Sequence, residues 1–191
     1  MSEEISRFGA AEPSVIKSRQ GMFGVADQGD TTSFSELETV AVSAPAATRP
    51  YGSYFDQIVD VLEELIEADG LVVTDVIEKV VIEHGIFIPR EHIRRVVRYL
   101  RDDQDLRFEM CLGTNGVNYP EDRGRELHAI YPFMSITHNR MIRLEVTCPD
   151  ADPHIPSIVD IYPANDWQER ETWDLMGIVF DGHPSLTRTA L

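Results

Sequence analysis

Residues 126–148 read ELHAIYPFMSITHNRMIRLEVTC, two apolar-rich runs on either side of His138-Asn139, a pair suited to a tight reversal of the chain. In the second run Ile142, Leu144, Val146 and Cys148 fall on one side of an extended backbone, and Met141, Arg143, Glu145 and Thr147 on the other. Successive strand side chains point to opposite faces, so this alternation predicts a β-hairpin with one buried face. Upstream, Leu106, Phe108, Met110 and Leu112 alternate with Arg107, Glu109 and Cys111, which predicts another half-buried strand.

The hairpin is preceded by two helical patterns. In YFDQIVDVLEELIEADG, Phe55, Ile58, Val59, Leu62, Leu65 and Ile66 recur at steps of three and four before Gly70, with Asp56, Asp60, Glu63, Glu64 and Glu67 forming a solvated face. The runs VVI and IFI around Gly85 read as extended chain. After Pro89, Ile93, Val96, Val97 and Leu100 form the apolar stripe of a second helix whose outer face carries Arg94, Arg95, Arg98 and Arg101. That basic face is expected to meet an acidic neighbour or the chain's own carboxylates. Helices and mostly antiparallel strands together predict an α+β fold of two layers. Residues 1–50 are rich in Gly, Ser, Thr, Ala and Pro and have no sustained period. They predict a largely irregular arm ahead of one domain over 51–191, with the GMFGV stretch and Phe34 as candidate anchors on a partner.

A chain of 191 residues can bury one sizeable core. Its 33 acidic and 17 basic side chains give a net charge of −16, which repels phosphate backbones and argues against nucleic acid as a partner. No apolar run reaches the roughly 18–20 residues of a membrane span, and the first residues lack the pattern of a secretory signal. Cys111 and Cys148, without a CxxC pair, fit buried free thiols in a reducing compartment.

Local candidates for chemistry are few. Asp150, Asp152 and His154 in CPDADPHIP carry metal-ligand atoms, but the two prolines favour a loop and no zinc or calcium pattern accompanies them. GTNGVNYP lacks the Lys-Ser/Thr of a phosphate cradle, and neither a nucleophile elbow nor a thiol-enzyme motif is present. The richest stretch is the closing one, NDWQERETWDLMGIVFDGHPSLTRTAL. It predicts a helix capped by Asn165 or Asp166 and stopped by Gly177, with Glu169 placed to reach back to the cap amide. On a helical projection Trp167, Arg170, Glu171 and Asp174 share one arc, while Thr172, Trp173, Leu175 and Met176 lie opposite with Glu169 among them. Glu171, Asp174 and His183 have the residue types of an acid–base set. A carboxylate beside an arginine is nevertheless a poor base near neutral pH, and no nucleophile or oxyanion donor is at hand. A hydrogen-bonded platform fits these residues better than catalysis.

The segment ERETWDLMGIVFDGHPSLTR resembles the signature of the C subunit of proton-translocating NADH:quinone oxidoreductase, respiratory complex I. That signature reads approximately E-R-E-x-aromatic-D-aliphatic-x-G-I-x-F-x-x-H-P-x-L-x-R. Glu169, Arg170, Glu171, Trp173, Asp174, Leu175, Gly177, Ile178, Phe180, His183, Pro184, Leu186 and Arg188 match it. The stretches LRDDQDLRFEM and IPSIVDIYPANDWQERE are also similar to the family, and the likeness extends from about residue 55 to 191. Trp173 stands where Tyr or Phe is usual, Thr172 where an aliphatic residue is common, and Thr189 and Ala190 where large aliphatics are.

The resemblance implies a cofactor-free component of the peripheral arm, at the cytoplasmic face of the bacterial membrane. It implies packing chiefly on the D subunit of that complex, which shares the quinone pocket with the cluster-bearing B subunit. FMN, iron–sulfur clusters, NADH and quinone would belong to the whole complex, which couples NADH oxidation by quinone to proton translocation. No residue of this chain is then expected to be catalytic, cofactor-binding or metal-binding. The signature residues act at an interface or within the fold. A homologous subunit of a membrane-bound hydrogenase or of a ferredoxin- or deazaflavin-linked complex is the first alternative. A stand-alone metal hydrolase using Asp150, Asp152, His154 and His183 is the second.

Overall fold

The computed structural model describes residues 15–20, 36–40, 46–81, 85–120 and 122–189. The chain divides into two units, Met1–Pro45 and Ala46–Leu191. Among the described residues of the first, β1 (Val15–Gln20) runs antiparallel to β2 (Glu36–Val40), with a bulge between Val15 and Lys17. The GMFGV stretch and Phe34 lie outside the described residues.

The second unit is α+β. Its first helix, α1 (Phe55–Ala68), buries Phe55, Ile58, Val59, Leu62 and Ile66. Asp56 steadies the entry by accepting hydrogen bonds from the amides of Tyr51 and Gly52 at 3.0 and 2.9 Å. The chain leaves the helix at Gly70, in the left-handed region at φ +73° that glycine adopts without strain. A single turn, α2 (Val73–Val76), leads to β3 (Lys79–Val81) and β4 (Gly85–Phe87). Pro89 then precedes a 3-10 turn and α3 (Ile93–Asp102), which buries Ile93, Val96, Val97 and Leu100 as its stripe predicts.

The main sheet is ordered β3–β4–β8–β7, with β5 (Met110–Cys111) and β6 (Asn115–Asn118) both pairing with β7 (Leu127–Ser135). The hairpin of β7 and β8 (Arg140–Cys148) runs in register from Leu127–Cys148 to Ser135–Arg140, and Asn139 turns the corner at φ +50°. All pairs are antiparallel except β4 with β8. Tyr131, Phe133, Leu144 and Val146 on one face of this sheet pack with the apolar stripes of α1 and α3, each fully buried large side chain contributing about 1.5–3 kcal/mol.

One predicted strand changes face midway. Leu106 and Phe108 are buried, but Met110 and Leu112 are 42% and 43% exposed while Cys111 is inside. Arg107 sits at φ +40°, the Phe108 amide bonds back to the Leu100 carbonyl at 2.7 Å, and the Glu109 amide to that of Arg107 at 3.1 Å. That turn inverts the alternation, and only Met110–Cys111 are strand. The arginines of α3 meet the chain's own acids: Arg94 pairs with Asp160 at 2.6 Å, Arg95 with Asp69 at 3.2 Å, and Arg98 with Asp160 at 3.8 Å. Each such exposed pair is worth about 0–1 kcal/mol, so together they orient the helix rather than hold it.

Gly116 on β6 is a point of close approach. A Cβ there would lie 2.8 Å from Thr172 Cγ2 and 2.7 Å from Met176 Cγ. Gly116→Val is therefore expected to lower unfolding free energy by about 1–3 kcal/mol through overpacking, measured by urea denaturation; an unchanged midpoint would contradict this contact.

Candidate functional site

The closing segment forms α4 (Asp166–Met176), entered through a 3-10 turn at Pro163–Asn165. Asn165 takes the cap position in helical geometry, and no side chain caps the helix. The predicted reach of Glu169 back to the cap amide is thus replaced by a tertiary link. Glu169 is fully buried, and its carboxylate accepts hydrogen bonds from the Ser157 hydroxyl at 2.6 Å and the Ile158 amide at 2.9 Å. Both donors lie in the segment after β9 (His154–Pro156), so one carboxylate fastens α4 to the chain that enters the C-terminal region. Burial raises the Glu169 carboxyl to about 7, against the opposing pull of its two donors.

Around this link the inward side of α4 is polar and paired. Thr172 donates to the Thr114 carbonyl at 3.0 Å, and the Asn165 amide reaches Cys111 Sγ at 3.0 Å and Thr114 Oγ1 at 3.2 Å. Gly177, at φ +78°, ends the helix with its amide bonded to the Trp173 carbonyl at 2.9 Å. Ile178 and Phe180 then enter the core, and β10 (Val179–Asp181) pairs in parallel with β9. The CPDADPHIP stretch, expected as a loop, thus ends in a short strand because β10 supplies its ladder.

His183 closes the segment back onto the start of the helix. The Ser185 amide donates to its Nδ1 at 3.1 Å, which leaves Nε2 to carry the proton toward the Asp166 carbonyl at 3.3 Å. Pro184 follows in the exposed turn. Arg170 stacks over the Trp167 ring at 4.4 Å and donates to the carbonyls of Thr187 at 3.0 Å and Arg188 at 3.4 Å. Asp174 accepts from the Thr189 amide at 3.2 Å and faces Arg188 Nε at 3.7 Å. Leu186 and Trp173 pack against the core. The signature residues thus tie the helix, its exit and the final segment to one another.

The outward side differs from the predicted arc. Leu175 and Met176, expected to lie opposite Trp167, are exposed by 64% and 38%. Trp167 is itself 64% exposed, and with Glu171 and Leu175 it forms a stripe at four-residue spacing. Trp167, Glu171, Leu175 and Thr189 line a shallow depression of about 240 Å³.

Glu171, Asp174 and His183 do not converge. His183 sits beneath Asp166, eight residues and therefore about 12 Å along the helix from Asp174. The candidate metal ligands are also apart in partnership: Asp152 pairs with Arg90 at 2.5 Å, His154 with Asp181 at 2.9 Å, and His183 is enclosed. Among the described residues no three His, Cys, Asp or Glu side chains are grouped as metal ligands. Cys111 and Cys148 are buried free thiols, each pushed up to about 11 by burial. Among the described residues no helix is long and apolar enough to cross a membrane.

A second buried polar centre went unseen in the sequence. Glu145, on the outward side of β8, is only 6% exposed, and its carboxylate lies 2.5 Å from His128 Nδ1, with Asp122 3.5 Å from Nε2. The β6–β7 loop covers it, Tyr119 meeting the His128 ring edge-on at 4.7 Å. The partners are 17 residues apart, and a loop hides them, so no periodicity could have found them.

Residues 86–191 match the family described as respiratory-chain NADH dehydrogenase, 30 kDa subunit. The chain belongs to this family, that of the complex I C subunit. It is 53% identical over 190 residues to the NADH-quinone oxidoreductase C subunit of Mycobacterium ulcerans, covering 98% of this chain and 80% of that one. The Streptomyces coelicolor counterpart, also an NADH-quinone oxidoreductase C subunit, is 55% identical over 177 residues, 91% of this chain and 70% of that one. The fold is shared with a trypsin-resistant fragment of Nqo5, at TM-score 0.53 and 24% identity over 70% of this chain and all of the fragment. It is shared also with a chain of an archaeal membrane-bound sulfane sulfur reductase, at TM-score 0.58 and 22% identity over 73% and 77% of the two chains.

The raised Glu169 carboxyl fixes a pH dependence. Below its ordinary value of 4.5 both folded and unfolded states hold the proton, and above about 7 neither does. Between these the unfolded chain releases it first, so the Glu169 contribution makes the fold less stable as pH rises through that window, by about 3 kcal/mol in all. Urea unfolding of the isolated subunit at pH 5 and pH 8 is expected to show a smaller loss for Glu169→Gln than for the wild type; equal losses would contradict the assignment.

Proposed function

We propose that this chain is a cofactor-free assembly subunit of the peripheral arm of a proton-translocating NADH:quinone oxidoreductase. In this reading residues 51–191 form the docking domain and residues 1–50 a separate arm. The domain packs on the D subunit, which shapes the quinone pocket together with the B subunit, at the cytoplasmic face of the membrane. FMN, iron–sulfur clusters, NADH and quinone are held by other subunits, and the isolated chain turns over no substrate.

Family membership carries the reading, and the geometry of the closing segment agrees with it. Glu169, Thr172, Gly177, Ile178, Phe180 and His183 are spent on internal contacts, which suits a rigid mount better than a reaction centre. The mount leaves Trp167, Glu171 and Leu175 outward, and a large exposed tryptophan beside an exposed leucine is the composition of an interface core rather than of a solvated helix face. Cys111, enclosed beside Asn165, and Cys148 supply no open thiolate pair for a cluster.

Isolation of the tagged chain from its own cells is expected to recover the remaining oxidoreductase subunits with it. Recovery as a lone monomer, or with the electron-input subunits of a hydrogenase, would overturn the proposal. Two substitutions separate mount from face. Glu169→Ala is expected to lower the Tm of the isolated subunit, a loss of about 2–4 kcal/mol from two stranded buried donors and a cavity. Glu171→Lys is expected to leave that Tm unchanged while reducing incorporation into the complex.

A further inference from the structure

The helix-free face of the main sheet is apolar where solvent should meet polar side chains. Cross-strand partners share a face, so Met110, Met134 and Met141 form one row across β5, β7 and β8, and Pro132 lies beside Arg143 in the next. The alternate positions Tyr131, Phe133, Ile142 and Leu144 point into the core. An antiparallel sheet with one face in water normally alternates polar residues onto that face. Here Met110, Leu112 and Met141 are 42%, 43% and 47% exposed.

The other end of the same face, around Phe87, His128 and Glu145, is different. The β6–β7 loop lies over it, with Tyr119 against His128, Arg125 within 5.8 Å of the Phe87 ring, and Arg125 paired with Glu78. Among the described residues, the chain therefore covers one half of its outer sheet face with its own loop and leaves the methionine half bare.

Arg143 is the charged side chain on the outward positions of that bare half. Its guanidinium lies across Gly85, 3.1 Å from where a Cβ would stand, and is 37% exposed. The carboxylate facing it, Glu145, is 3.8 Å away, beyond hydrogen-bonding distance, and already engages His128; Arg143 Nε is enclosed without a partner among the described residues. A buried guanidinium edge lacking an acceptor is costly until a carboxylate or carbonyl reaches it.

We propose that this bare half-face is a second docking surface, and that its occupant is an apolar segment bearing a carboxylate, supplied by another subunit of the oxidoreductase. Methionines suit the apolar part, because their flexible, polarisable side chains mould to a partner. Arg143 specifies the acid. A second copy of this chain fits poorly: each copy brings a net charge of −16, and among the described residues the outward strand positions of the bare half offer no carboxylate to an opposing Arg143. This surface is distinct from the α4 stripe, so the subunit would bridge two neighbours. The inference rests on the reading that the chain works inside the complex.

Methionine oxidation by dilute peroxide, read by mass spectrometry, tests it on the isolated full chain and on the purified oxidoreductase. Met110 and Met141 are expected to oxidise readily in the isolated monomer and about tenfold more slowly in the complex, since oxidation follows exposure. Equal rates would show a water-facing sheet and overturn the proposal. Slow oxidation already in the monomer would mean that the chain covers its own face. Protection appearing only when the isolated chain dimerises would assign the face to a second copy; either result contradicts a partner subunit. Recovery of the chain within the complex but with unprotected methionines sinks this proposal alone, whereas absence from the complex sinks the parent reading with it. Met134→Lys and Arg143→Gln, in competition with wild type, are each expected to reduce incorporation about tenfold without lowering the Tm of the isolated chain; equal incorporation would contradict the surface.

Discussion

A single buried carboxylate sets the arrangement of the C-terminal third. Glu169 carries its acid group into the core, where an unpartnered charge would cost several kcal/mol, and the Ser157 hydroxyl and the Ile158 amide offset part of that cost. The link fixes where α4 begins and which side it turns inward. Thr172 then falls on Thr114, Asn165 on Cys111, and the helix passes so near β6 that a side chain at residue 116 would crowd Thr172 and Met176. The Gly177 turn and the His183 clasp finish the same unit. A segment dense in catalytic residue types thus fastens helix, exit and final segment to one another through hydrogen bonds.

This division between inward ties and outward surface is what the proposed assembly role rests on. The inward residues make α4 a rigid support. The outward ones, Trp167, Glu171 and Leu175, form an exposed stripe headed by a tryptophan, the residue type most enriched at binding hot spots. The sheet repeats the division on its other side, with a half protected by the β6–β7 loop and a methionine half left open.

Much of the architecture was legible because it is periodic. The alternation through residues 141–148 and the stripes of α1 and α3 pointed to the hairpin, the helices and the α+β class, and their apolar positions are buried, with Leu65 half-buried at the edge. Legibility failed where a local turn or a distant partner overrode the period. Arg107 in left-handed geometry moved Met110 and Leu112 outward. The cap expected for Glu169 followed a sound local rule, but the Pro163–Asn165 turn removed its geometry and Ser157 outcompeted it. Leu175 was set opposite Trp167 on the helical projection, although eight steps of about 100° bring it back to within about 80° of that side chain, beside Glu171, and it is exposed accordingly. His128 and Glu145 meet only because two strands pair and a loop closes over them.

The fastening is tested most directly by a double-mutant cycle of Ser157→Ala and Glu169→Gln on the isolated subunit, followed by urea unfolding. The account predicts that the two losses are not additive, with a coupling free energy of about 1–3 kcal/mol between the hydroxyl and the carboxyl. Losses that simply add would mean that this contact does not hold α4 in place.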